Sequence, residues 1–210
     1  MQKIMFNDQY ELTKAVLEGR KTQTRIICKY SRPNESYDIV FPIFEPKDYD
    51  NKGNNTSALN YAFGWRNDEG MFTGWNKPHY KVGEIVAIAQ SYADISIEPF
   101  PFCEAGWRNK MRVKADLMPH QIKITNIRIQ RLQDISDEDC LAEGVGLSKT
   151  DNRIGYPFAI PFNYYIKEDT KANRYTTARE AYAALIDKVS GKETWESNPW
   201  VWVYEFELVK

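Results

Sequence analysis

Apolar positions recur in short runs with a period of two along most of this chain, and only three stretches carry a helical period. Lys3 to Phe6 reads as a brief strand. Asn7 or Asp8 then caps a helix with Leu12, Ala15 and Val16 on one face, and Gly19 stops it. Arg20 to Arg25 form a polar loop, and Arg25 to Tyr30 a strand around Ile26 and Ile27. Ile85 to Tyr92 and Met111 to Lys114 are further strands. Gln121 to Leu132 alternates through Ile122, Ile124, Ile127 and Ile129, with a phase slip near Thr125-Asn126 that predicts a bulge. Trp200 to Leu208 alternates Trp200, Trp202, Tyr204 and Phe206 against Val201, Val203, Glu205 and Glu207, and closes the pattern.

Two more helices are punctuated locally. Ser136 starts one that runs to Glu143, with Asp137, Glu138 and Asp139 in its first turn, where carboxylates complement the helix dipole, and Gly144 ends it. Thr177 and Glu180 make a capping box for a helix to Val189, with Ala181, Ala184, Leu185 and Val189 facing inward. Ser31 to Pro78 is irregular, rich in Gly and aromatics, and reads as hairpins and loops, one of them turning about Asn67-Asp68-Glu69-Gly70. The sum is an α+β chain: a small β-barrel with peripheral helices, one domain over 1–210, and an insertion at about 31–80.

Composition narrows the function classes. A formal net charge of −1 argues against nonspecific gripping of duplex backbone, which draws its affinity from a basic excess. Cys28, Cys103 and Cys140 are isolated, and neither His79 nor His120 has a partner at metal-ligand spacing, so neither a disulfide framework nor a metal site is expected. No apolar run reaches the length of a membrane span and Met1 to Phe6 lacks a leader's apolar core, so the expected location is the cytoplasm and no membrane partner is expected.

The one dense concentration of chemistry is Gly19-Arg20-Lys21-Thr22-Gln23-Thr24-Arg25, three cations and two hydroxyls in seven residues. On composition alone, the commoner reading of a basic loop after a helix is a solvated helix end. Convergent ammonium, guanidinium and hydroxyl donors also suit a phosphate or one polar base edge.

Leu17 to Arg25 resembles the signature loop of ASCH-domain proteins. Two further segments are similar to phage and prophage-type members of that family: Arg131 to Gly144, and Trp195 with Asn198 to Phe206. The three occur in the family's order across nearly the whole chain. The resemblance implies a PUA-like barrel and a nucleoside, nucleotide or RNA as partner, with no metal and no cofactor. In small members that hydrolyse N4-acetylcytidine it implies a catalytic set that falls here on Lys21, Thr24 and Glu143: a hydroxyl nucleophile, its base and an acid for the leaving amine. Arg20, Arg25 and Gln90 fall at ligand-binding positions. Gln90 departs from the family, which has a glutamate there. Lys21 acts as a base only if burial or neighbouring cations lower its pKa, and the loop must bend to bring Lys21 and Thr24 to one side. As polar pocket residues, Lys21 and Glu143 are expected to be replaceable without loss of folding. The alternative function is a non-catalytic RNA- or nucleotide-binding module. The aromatic run at Trp200 to Phe206 offers a base-stacking platform, but core packing is the better reading of a barrel strand.

Overall fold

The computed structural model describes residues 1–28, 31–42, 61–95, 105–147, 162–163 and 175–209. In chain order the elements are β1 (Lys3–Ile4), α1 (Leu12–Leu17), β2 (Gln23–Ile27), β3 (Tyr37–Val40), β4 (Gly64–Asn67), β5 (Ile85–Ile88), α2 (Tyr92–Ile95), β6 (Gln121–Arg131), α3 (Asp137–Ala142), β7 (Gly146–Leu147), β8 (Phe162–Asn163), α4 (Ala178–Ser190), α5 (Thr194–Ser197) and β9 (Trp200–Leu208). The expected strand at Met111 to Lys114 is instead a 3₁₀ turn over Lys110–Arg112, because the Asn109 side chain accepts from the Met111 N–H and curls the chain. The strand expected to reach Tyr92 stops at Ile88, and Tyr92 opens a helical turn. The strand expected over Arg25 to Tyr30 begins earlier, at Gln23, and its last two positions fall outside the described residues.

Five strands form one mixed sheet in the order β1-β5-β6-β9-β2, with β1 parallel to β5 and the other ladders antiparallel. The slip read at Thr125-Asn126 is a register shift between Ile124 and Asn126 in the β6–β9 ladder. Among the described residues no ladder joins β1 to β2, so the α+β class holds while the sheet does not close into the expected barrel. The two edges nevertheless line a single cavity: Ile4, Met5 and Phe6 on one side, Thr24, Arg25 and Ile26 on the other. The seam between β1 and β2 is thus bordered by residues of this cavity.

β9 is buried on both faces. Val201 and Val203 are as fully enclosed as Trp202 and Tyr204. Its even positions pack into an aromatic layer, with Phe63 5.3 Å from Trp202, Trp65 5.6 Å from Trp200 and Tyr80 5.3 Å from Tyr204. Phe63 and Trp65 come from the inserted region, where β3 pairs with β4 and the turn expected at Asn67 to Gly70 is present. The stretch 43–60 of that insertion lies outside the described residues. Among the odd positions, Val203 pairs with both Arg25 and Arg128, whose side chains reach Asp139 of α3.

α3 carries two residues of the site, and its start is fixed by the Ser136 hydroxyl, which accepts from the Asp139 N–H. Ser136→Ala is expected to lower global stability by about 1 kcal/mol, measured by urea titration, with no change in cap at the other helices. α4 begins at the Thr177 cap as expected. Its buried stripe is Ala181, Tyr182, Leu185 and Ile186, whereas Val189, expected inside, is 39% exposed.

Candidate functional site

Past α1 the chain turns tightly. Gly19 adopts φ +71°, which a glycine accepts without strain, and the N–H groups of Arg20 and Lys21 both donate to the Ala15 carbonyl at 2.9 Å. The Thr22 N–H then donates to the Ala142 carbonyl at 2.9 Å, docking the loop on the C-terminal end of α3. That contact sets Lys21 against Glu143. The Lys21 ammonium donates to a Glu143 carboxylate oxygen at 2.6 Å and to the Glu143 carbonyl at 2.9 Å. A cation at a helix C-terminus is favoured by the dipole as well as by the carboxylate.

The other Glu143 oxygen accepts from Arg25 Nη1 at 2.8 Å, and Arg25 Nη2 reaches Asp139 at 2.8 Å. Asp139 also accepts from Gln23 at 2.8 Å and from Arg128, which in turn pairs with Glu205. Lys21 and Glu143 side chains are 2% and 5% exposed. The cluster therefore holds three cations against three carboxylates, Lys21, Arg25 and Arg128 against Glu143, Asp139 and Glu205. Buried ions survive only in such paired, hydrogen-bonded arrangements.

Burial holds the Lys21 amine below its ordinary pKa, against the opposing pull of Glu143. Burial works against the Arg25 charge, but Glu143, Tyr182 and Asp139 together outweigh it and raise the guanidinium pKa. At Asp139 burial again opposes ionisation, and the Gln23 hydrogen bond with the Arg128 and Arg25 charges prevails and lowers the pKa. The thiols of Cys28 and Cys140 are pushed up by burial, each from 9.0 to about 12.

These shifts have opposite signs in alkali. The unfolded chain keeps the Lys21 proton up to about 10.5, longer than the folded protein does, so this group makes stability rise with pH below that value. The thiols ionise near 9.0 when unfolded but remain neutral in the fold, so their contribution is complete below 9.0 and is lost as pH rises toward about 12. The thiols, joined by the buried hydroxyls of Tyr80, Tyr182 and Tyr204, whose pKa burial also raises, outnumber the one amine. The urea midpoint is expected to fall between about pH 9 and 11, and less steeply in Cys28→Ala/Cys140→Ala. A midpoint that climbs with pH through this range would reject the assignment. Cys103 lies outside the described residues.

The cavity beside this cluster has a volume of about 150 Å³. Lys21, Thr24, Arg25 and Glu143 give it a polar wall, and Leu12, Leu185 and Ile186 an apolar one. The bend demanded by the Lys21–Thr24 spacing is present, since Lys21 lies in the turn before β2 and both residues line the cavity. Within β2, however, Thr24 pairs in register with Tyr204 and Arg25 with Val203, so their side chains leave opposite faces. No hydrogen bond joins the Thr24 hydroxyl to Lys21 or Glu143 among the described residues.

Arg20 and Gln90 are not part of the wall. Arg20 turns back to Glu18, at 2.7 Å, and Gln90 follows β5, across β1 from the cavity. Asp139, Arg128 and Tyr182 belong to the cluster or its cavity and were not singled out from sequence. Asp139 and Glu143 are four apart on one helical face, a spacing that marks the pair; Arg128 and Tyr182 carry no such mark. The described residues hold no group of His, Cys, Asp and Glu side chains arranged for a metal ion, and no described helix is long and apolar enough to cross a membrane.

No family model, curated protein or solved structure matches the chain.

Proposed function

We propose that the chain is an ASCH-type protein, its mixed sheet a variant of the PUA-like barrel, that hydrolyses the exocyclic amide of N4-acylated cytosine nucleosides. The observation that supports it most is the buried Lys21–Glu143 contact of 2.6 Å on the wall of a small cavity. A void of about 150 Å³ takes one six-membered ring, so a pyrimidine base enters and the sugar stays outside. Because the charges of the wall cancel, a neutral base suits it better than a phosphate. Phosphate binding by Arg20, Lys21 and Arg25 is correspondingly disfavoured, since each of these cations already holds a carboxylate.

One proton passing across the Lys21–Glu143 contact converts the ion pair into a neutral amine and a carboxylic acid, the base and the acid that amide hydrolysis requires. Burial favours that exchange and the Arg25 bond to Glu143 opposes it. In this mechanism Lys21 takes the Thr24 hydroxyl proton as Oγ1 attacks the acyl carbonyl. Glu143 protonates the exocyclic nitrogen as the C–N bond breaks, and water then releases the acid from Thr24. Incubation with N4-acetylcytidine followed by chromatography tests this: cytidine and acetate are the expected products, and intact substrate after prolonged incubation sinks it.

A binding-only role is the second reading. It draws support from the Thr24 hydroxyl, which makes no hydrogen bond to the pair among the described residues, and from Glu143, whose oxygens are both engaged. Saturable binding of cytidine without hydrolysis of its acetylated form is the outcome expected of that role.

A further inference from the structure

Two buried polar atoms of cavity-lining residues have no hydrogen-bond partner: the Tyr182 hydroxyl and Arg25 Nε. Tyr182 lies within α4 and is 2% exposed. The Arg25 guanidinium stands 5.9 Å from its ring centroid, near enough for its charge and a poorly aligned N–H contact to act on the hydroxyl. No Arg25 N–H, however, points at that oxygen with hydrogen-bond geometry. Buried tyrosine hydroxyls ordinarily find a partner, and one without it costs stability. A phenylalanine would fill the same space without that cost, so packing alone does not account for the hydroxyl.

We infer that Tyr182 positions the ligand: its hydroxyl donates to the ring carbonyl of a neutral pyrimidine seated in the cavity, with Arg25 Nε as the second donor. This rests on the pyrimidine reading above and narrows it to bases with a ring carbonyl beside the sugar-bearing nitrogen, as in cytidine. Two donors, one of them on a guanidinium whose charge Glu143 and Asp139 already balance, suit a neutral acceptor and not an anion. Burial, and then the neighbouring Glu143 carboxylate, keep the phenol protonated well beyond its ordinary range, so it stays a donor at neutral pH. The hydroxyl is itself enclosed, so the contact forms with a small displacement of Tyr182 or Arg25 as the base enters.

The test compares full-length wild type with Tyr182→Phe by calorimetric titration with cytidine and with 2-thiocytidine, whose sulfur is a poor acceptor. Wild type is expected to prefer cytidine. Tyr182→Phe is expected to bind cytidine about tenfold more weakly and 2-thiocytidine within about twofold of wild type, the size of one hydrogen bond. Its melting temperature is expected to stay or rise, since the lost hydroxyl had no partner. Equal cytidine affinity in the two proteins overturns the inference, as does a lower melting temperature with affinity unchanged. Wild type that binds no pyrimidine nucleoside overturns it together with the proposed function. Wild type that binds cytidine but leaves N4-acetylcytidine intact removes only the hydrolase reading, and the Phe variant still decides the role of Tyr182.

Discussion

Glu143→Ala is expected to cost about 3–5 kcal/mol of stability, because it strands the buried Lys21 ammonium and takes one of two carboxylates from Arg25. Lys21 loses its carboxylate partner outright and keeps only carbonyl contacts, while Arg25 retains Asp139. This departs from the expectation that polar pocket residues can be replaced without loss of folding. The reason is burial: Lys21 and Glu143 are sealed in the interior, where an unpaired charge is expensive. Removing both charges is therefore expected to be milder than removing one. Lys21→Met/Glu143→Leu should sit closer to wild type in urea than Glu143→Ala does, since Arg25 still pairs with Asp139. If the double variant loses the sum of the single losses, the pair is not a coupled buried unit.

Lys21→Met is expected to lower turnover of N4-acetylcytidine by about 10²- to 10⁴-fold while leaving the protein folded. The fold survives because Glu143 keeps its Arg25 partner and the methionine fills much of the lysine's volume. Glu143→Gln is expected to fall in the same range through loss of the acid. Lys21→Met/Glu143→Gln should then lose little beyond either single variant, as parts of one proton-transfer unit are strongly non-additive. Rates from protein shown to be folded by circular dichroism decide the matter. Retention of most of the wild-type rate in Lys21→Met would remove the lysine from the chemistry and leave it as a structural partner of Glu143.

The local punctuation of the chain was legible because it is local. Ser136 and Thr177 cap their helices, Gly19 and Gly144 end theirs at positive φ, and the slip at Thr125-Asn126 is a bulge. Each depends on residues within a few positions. Where a nearby side chain competed for the backbone, as Asn109 does ahead of Lys110, alternation was outvoted and a strand became a 3₁₀ turn. At the end of α4 the helical period was right, but the cavity mouth left Val189 partly uncovered.

What the sequence by itself determined was the class of elements, the bulge, and a dense cationic loop placed after a helix stop, with Glu143 at another helix end. Tertiary structure decided what those charges do. Lys21 and Glu143 are 122 positions apart, and no periodicity shows that they meet. They meet because the Thr22 N–H docks the loop on Ala142, an interaction of backbone groups that any residue type can make. The same holds for the seam between β1 and β2: alternation predicts strands, but whether the edges join in a ladder or part around a cavity depends on the side chains packed between them.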